Sequence, residues 1–159
     1  YIGRPLHVLV VAVVCGTLLS VRARSAMPVI GVTGAVGIGV AVEQTFKAVI
    51  GRTATTGPLV DYPHSFPSGH VTGTAALLGT IAVFLGAGAG RAVRTTLAVL
   101  VVAAVVAVAV LALYTGAHTF SDVIGGMLLG GAIVELVAAL ARPRGRGVQP
   151  TGRSMVQTN

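Results

Sequence analysis

The residues able to do chemistry fall into three short stretches separated by long apolar runs. The first is EQTFKAVIGRT at 43–53, with Glu43, Lys47 and Arg52. The second is YPHSFPSGH at 62–70, with His64, Ser68, Gly69 and His70. The third is HTFSD at 118–122, with His118 and Asp122. Two cations close together, Lys47 and Arg52, suit a phosphate or carboxylate ligand. The bland reading of the same pair is snorkelling at a membrane interface. Glu43 stands one helical turn before Lys47 and is placed to pair with it.

Pro67-Ser68-Gly69-His70 reads as the start of a helix. Ser68 is a good N-cap residue, Gly69 permits close backbone approach, and His70 falls in the first turn. The free N–H groups of such a turn make an anion site, helped by the positive end of the helix dipole. An ordinary capped helix with a solvent-facing histidine would carry the same four residues. His118 and Asp122 are four apart and share a face if the segment is helical. The carboxylate could then hold one imidazole nitrogen and leave the other free as nucleophile or base. That spacing also arises by chance, but an outward His70 adds the proton donor such a pair needs. The histidines are scattered, no cysteine pair exists and no HExxH occurs, so neither a metal nor another cofactor is expected.

These residues need elements to position them. The chain has 159 residues, a length that predicts one domain. It is 54% hydrophobic and only 9% charged, well below the charge of a soluble surface. Eleven Lys and Arg against four Asp and Glu give a net charge of +7. A nucleic-acid binder would gather these charges in a patch. Here they fall between apolar runs, as the flanks of membrane helices do, so no nucleic-acid partner is expected. Cys15, the single cysteine, lies in an apolar run and reads as packing.

A bilayer span takes roughly 20 apolar residues. Five candidates follow, at about 5–21, 27–50, 69–87, 93–114 and 120–141. The sequence thus predicts an all-α, polytopic transmembrane bundle over 1–141 and a basic, disordered tail over 142–159. Gly126 and Gly130 form a GxxxG, and Gly31, Gly34, Gly37 and Gly39 stud the second helix. Close helix packing is the expected use of both sets. Glu135, inside the fifth helix, calls for an interior partner.

Arg22 and Arg24, Arg91 and Arg94, and Arg142, Arg144, Arg146 and Arg153 all fall at one end of such a bundle. The positive-inside rule makes that end cytoplasmic. Lys47, Arg52, Asp61, His64, His70, His118 and Asp122 then share the outer end. Polar residues collect in loops anyway, which accounts for Asp61 but poorly for His118 and Asp122 at a helix start.

The order Lys47, FPSGH at 66–70 and GAHTFSDVIGG at 116–126 resembles the type-2 phosphatidic acid phosphatase superfamily. The resemblance covers about 40–135. The family pattern has Lys, six residues, Arg-Pro; then Pro-Ser-Gly-His; then Ser-Arg, five residues, His, three residues, Asp. The middle motif matches completely, and His118 and Asp122 match in place and spacing. Ala54 and Thr55 stand where the family has Arg-Pro, and Leu111 and Ala112 where it has Ser-Arg. The resemblance implies a lipid-phosphate phosphatase of the cell membrane, acting at the extracytoplasmic face. It implies His118 as the nucleophile that forms a phosphohistidine, Asp122 as its orienting partner and His70 as proton donor to the leaving oxygen. Lys47 and the backbone of Ser68 and Gly69 would hold the phosphate, with Arg52 placed to replace part of the missing charge and His64 to assist. Family enzymes usually have six helices, so the resemblance also implies a helix before Tyr1. Three functions are weighed: a phosphatase acting on a polyprenyl or glycerolipid phosphate, a degenerate relative that binds an anionic head group without turnover, and a serine hydrolase using Ser68. The third lacks the G-x-S-x-G elbow.

Overall fold

A computed structural model describes residues 5–51 and 65–142. Among them five helices follow in order: α1 Pro5–Ala23, α2 Met27–Ile50, α3 Gly69–Leu85, α4 Arg91–Tyr114 and α5 Phe120–Ala141. No strand occurs among the described residues. Spans in α1, α2, α4 and α5 are long and apolar enough to cross a membrane, and α3 is an apolar helix of 17 residues. A 17-residue helix still rises about 25 Å, near the lower limit for a span. The outward side chains are apolar, as at Val10, Leu18, Val99, Leu100, Leu128 and Leu140. A surface of that kind suits lipid.

The termini of the helices follow from local chemistry. Pro28 sits in the first turn of α2, where its missing N–H is not needed. Gly51 closes α2 in the left-handed conformation (φ 60°), and its N–H donates to the Lys47 carbonyl at 3.1 Å. Three sequence boundaries shift. α3 stops at Leu85, and α4 begins at Arg91, so Arg91 and Arg94 occupy its first turn rather than a loop. Arg22 likewise falls in the last turn of α1. Long basic side chains at helix ends can lie along the apolar surface and keep their heads in water.

The helices run up and down around α3, which touches all four others. Its closest neighbour is α5, and glycines make the approach possible. A Cβ at Gly126 would lie 2.8 Å from the Ser68 carbonyl oxygen, and one at Gly130 would lie 2.5 Å from the Ala75 Cβ. The GxxxG of α5 is therefore a packing face, as expected. On α2 the expectation holds only in part. Gly31 packs on Phe84 and Gly39 faces Ile133 at 3.4 Å, but Gly34 and Gly37 have nothing within 4 Å. Glu135 also departs from expectation. It is exposed on α5 rather than turned toward an interior partner, on the side away from the α3-facing residues Gly126, Gly130 and Ile133.

Apolar clusters fill the interior. Val71, Ala75, Val105, Ala109, Ala112 and Val123 join α3, α4 and α5. Ala12, Val32 and Val36 join α1 to α2, and Ala35, Ala76 and Ile133 join α2, α3 and α5. Small side chains dominate, so the backbones approach closely.

Candidate active site

One end of the bundle gathers the end of α2, the start of α3, and the turn from α4 into α5. Ser65 to Ser68 lead into α3 there. Phe66 wedges between two helices: its ring meets Phe46 of α2 edge-on at 6.5 Å and fills the space beside Gly125 of α5. Pro67 and Ser68 are buried completely. The Ser68 N–H donates to the Asp122 carbonyl at 2.9 Å, which fastens the start of α3 to the start of α5. Thr72 adds a second tie. Its hydroxyl donates to the Ser68 carbonyl at 2.9 Å and lies 3.4 Å from the Gly126 carbonyl.

Ser68 occupies the N-cap position with extended backbone, but its side chain makes no capping bond. Its buried hydroxyl has no partner among the described residues. This corrects the expectation that Ser68 caps α3 through its oxygen. A helix leaves its first N–H groups without internal acceptors, and here the cap side chain leaves them open as well.

His118 lies before α5, not on it. α4 ends at Tyr114, Gly116 turns the chain at φ 66°, and the N–H groups of Ala117 and His118 donate back to the Ala112 carbonyl at 3.1 and 3.3 Å. Thr119 is the N-cap of α5 and forms a reciprocal capping box with Asp122. The Thr119 N–H donates to Asp122 Oδ2 at 2.8 Å. The same oxygen stands 3.8 Å from His118 Nδ1. The pair is thus within ion-pair range but beyond hydrogen-bond range. Asp122 is wholly buried, so its charge acts on the imidazole with little screening by water. In unliganded sites such contacts are commonly long and tighten when substrate binds.

The two histidines face one another. Their ring centroids are 6.2 Å apart with planes at 65°. His70, in the first turn of α3, is exposed, whereas the His118 side chain is 8% exposed. Burial lowers the pKa of His118 from its ordinary 6.5. Asp122 opposes the shift, the positive charges of His70 and Lys47 deepen it, and the Ser65 backbone opposes it slightly. The ring is therefore held neutral at pH 7, the form in which a nitrogen lone pair can attack. Asp122 and His70 thus both border this imidazole.

Lys47 pairs with Glu43, as their spacing predicts. Glu43 is buried, and its carboxylate lies against the α-carbon of Gly69. Ala112 is buried in the apolar cluster with Val71 and Val123, so that position offers packing and no charge. Arg52, Ala54, Thr55, Asp61 and His64 lie outside the described residues, as does the tail from 143 onward. The geometry thus brings together Lys47, Ser68, Gly69, His70, His118 and Asp122. Sequence reasoning did not single out Phe66, Gly125, the Ser65 backbone or the Thr119 cap. Only the last had a signal in the sequence, the T-x-x-D spacing of a capping box.

Fold and site together define a polytopic membrane-type helix bundle with a buried His–Asp pair and a second histidine at one end. The chain belongs to the PAP2 superfamily, whose pattern matches residues 28–146. Members of that superfamily are generally phosphatases, and the fold is accordingly a phosphatase-type fold. No curated protein and no solved structure gives a significant match.

Proposed function

We propose that this protein is a multi-pass lipid-phosphate phosphatase of the cell membrane with its site on the extracytoplasmic face. One observation carries the reading: a buried His118, backed by Asp122, lies 6.2 Å from His70 at the start of α3. Simple anion binding needs neither a nucleophile nor a proton donor.

In the proposed reaction a phosphate oxygen rests against the N–H of Gly69 and the Lys47 ammonium, with Arg52 adding charge; the Ser68 N–H, expected from the sequence to join them, is taken by the Asp122 carbonyl. His118 attacks phosphorus through its free nitrogen. His70 donates a proton to the departing lipid oxygen. Asp122 stabilises the imidazolium that forms. Water then attacks the phosphohistidine, His70 takes the water's proton, and phosphate leaves. The substrate is a phosphomonoester or diphosphate of polyprenyl or glycerolipid type, and no cofactor takes part. The sidedness rests on Arg22, Arg91, Arg94 and Arg142, all at the opposite end of the bundle. The 1–141 bundle is the working domain.

A second reading has its own support. Lys47 is already paired with Glu43, and Ala112 adds no charge. A site so short of cation would bind an anionic head group without turning it over. Phosphate release from a panel of lipid phosphates separates the two. Turnover that disappears in His118→Ala supports the phosphatase; binding without release supports the alternative.

A further inference from the structure

Glu43 has no place in the reaction proposed above, yet it lies beside the groups that would hold the phosphate. It is 5% exposed. Its Oε1 accepts from Lys47 Nζ. A Cβ at Gly69 would lie 2.3 Å from Oε1, 2.7 Å from Cδ and 2.8 Å from Oε2. The whole carboxylate therefore rests on the first residue of α3.

A Glu–Lys pair at this spacing is common on helix surfaces and adds little stability there. Such a pair has no need of burial. Here the carboxylate is turned inward, against the one residue of the turn that lacks a side chain. It engages both features that an incoming phosphate oxygen would use, the Lys47 ammonium and the open start of α3. The buried Ser68 hydroxyl, which has no partner among the described residues, lies one residue away.

We infer that Glu43 sets the charge preference of this site. Resting on the reading of the α3 start as a phosphate site, the inference is that its carboxylate disfavours a doubly charged phosphate relative to a singly charged one. A fixed negative charge repels each charge on the ligand, so the dianion suffers about twice the repulsion of the monoanion. Among the substrates proposed above, this shifts the site toward the singly charged, esterified phosphate of a lipid diphosphate and away from a terminal monoester.

The test uses the full chain in detergent, with methyl phosphate and dimethyl phosphate as matched dianion and monoanion, titrated by phosphorus NMR at about pH 8. A like charge within roughly 4–6 Å changes an ionic equilibrium by about tenfold or more. Glu43→Gln keeps the acceptor oxygen for Lys47 and removes the charge. It is expected to tighten methyl phosphate binding about tenfold and dimethyl phosphate binding by about threefold, on the same reasoning. Equal or weaker binding of methyl phosphate by the variant overturns the inference. Glu43→Ala provides a second reading: with the charge removed it should also raise the affinity for methyl phosphate relative to dimethyl phosphate about threefold, and an unchanged or lowered ratio overturns the inference. If neither probe binds either protein, the phosphate-site reading falls with it. If both bind and the substitution changes nothing, only the role of Glu43 falls.

Discussion

Gly126→Ala tests whether α5 holds the start of α3 in register with Asp122. The added Cβ would lie 2.8 Å from the Ser68 carbonyl oxygen, 3.0 Å from the Val71 Cβ and 3.3 Å from the Thr72 nitrogen. A carbon beside a carbonyl oxygen needs about 3.3–3.6 Å, so α3 must retreat by about 0.5 Å. The obstacles are backbone atoms and a branched Cβ, and none can swing aside. The 2.9 Å bond from the Ser68 N–H to the Asp122 carbonyl joins the same two elements. A retreat along it would stretch it to about 3.4 Å, beyond the normal range. Overpacking of this kind costs about 1–3 kcal/mol and the weakened buried bond about 1 more. The comparison is Gly37→Ala on α2, where nothing lies within 4 Å. That change should be neutral or slightly stabilising through helix propensity. Each kcal/mol shifts the melting temperature of a chain this size by about 2–4 °C, so Gly126→Ala in detergent should melt roughly 5–10 °C below Gly37→Ala. Phosphate release should fall on the order of 10²-fold, because the displacement reaches Ser68, Gly69 and His70. Equal melting temperatures and equal turnover in the two variants would refute the packing argument.

Three further outcomes follow. Ser68→Ala should leave stability within about 0.5 kcal/mol of wild type, since no capping bond is lost, and should leave phosphate affinity and release unchanged, since the buried hydroxyl is turned away from the site; abolished turnover with unchanged affinity would instead point to a serine nucleophile. Asp122→Asn removes the influence that raises the His118 pKa, so NMR titration should show His118 protonating at lower pH than in wild type, and a midpoint that rises or stays would count against the pairing. The folded His118 pKa lies below the unfolded 6.5, so below that value the unfolded chain binds more protons. The contribution of His118 to stability is then unchanged above about pH 6.5, falls as pH drops from there to the folded value, and levels off below it. A wild-type stability that declines over this window less in His118→Gln is the expected result, and identical declines would contradict it.

Much of this architecture is readable from residue order, and the exceptions have physical causes. α2 and α5 begin and end where their apolar runs do, because Gly51, Pro28 and the Thr119 cap mark those ends chemically. The arginines at 91 and 94 hide the first turn of α4, since a hydropathy run stops at a charge even when the helix does not. Glu135 was misplaced for a related reason. A helix apolar on nearly every side gives no sign of which face is inward, so its rotation is set only by packing at Gly126 and Gly130. His118 and Asp122 were legible as a pair from their spacing. That His118 precedes the helix depends on Gly116 and on the capping box, whose bond competes for the Asp122 oxygen. Ser68 has the right type for an N-cap, but its oxygen turns into the interior, which only the tie between Ser68 and Asp122 explains. The nearness of Glu43 to Gly69 joins residues 26 apart in sequence, and no local pattern encodes it.

The central claim is that His118 attacks phosphorus. The direct measurement is phosphate release by the purified full chain in detergent across polyprenyl and glycerolipid phosphates, with His118→Ala beside it. The expected result is release by wild type from at least one lipid phosphate, reduced on the order of 10³-fold or more in His118→Ala. Undiminished release by His118→Ala, or no release by wild type from any lipid phosphate that it binds, would contradict the account.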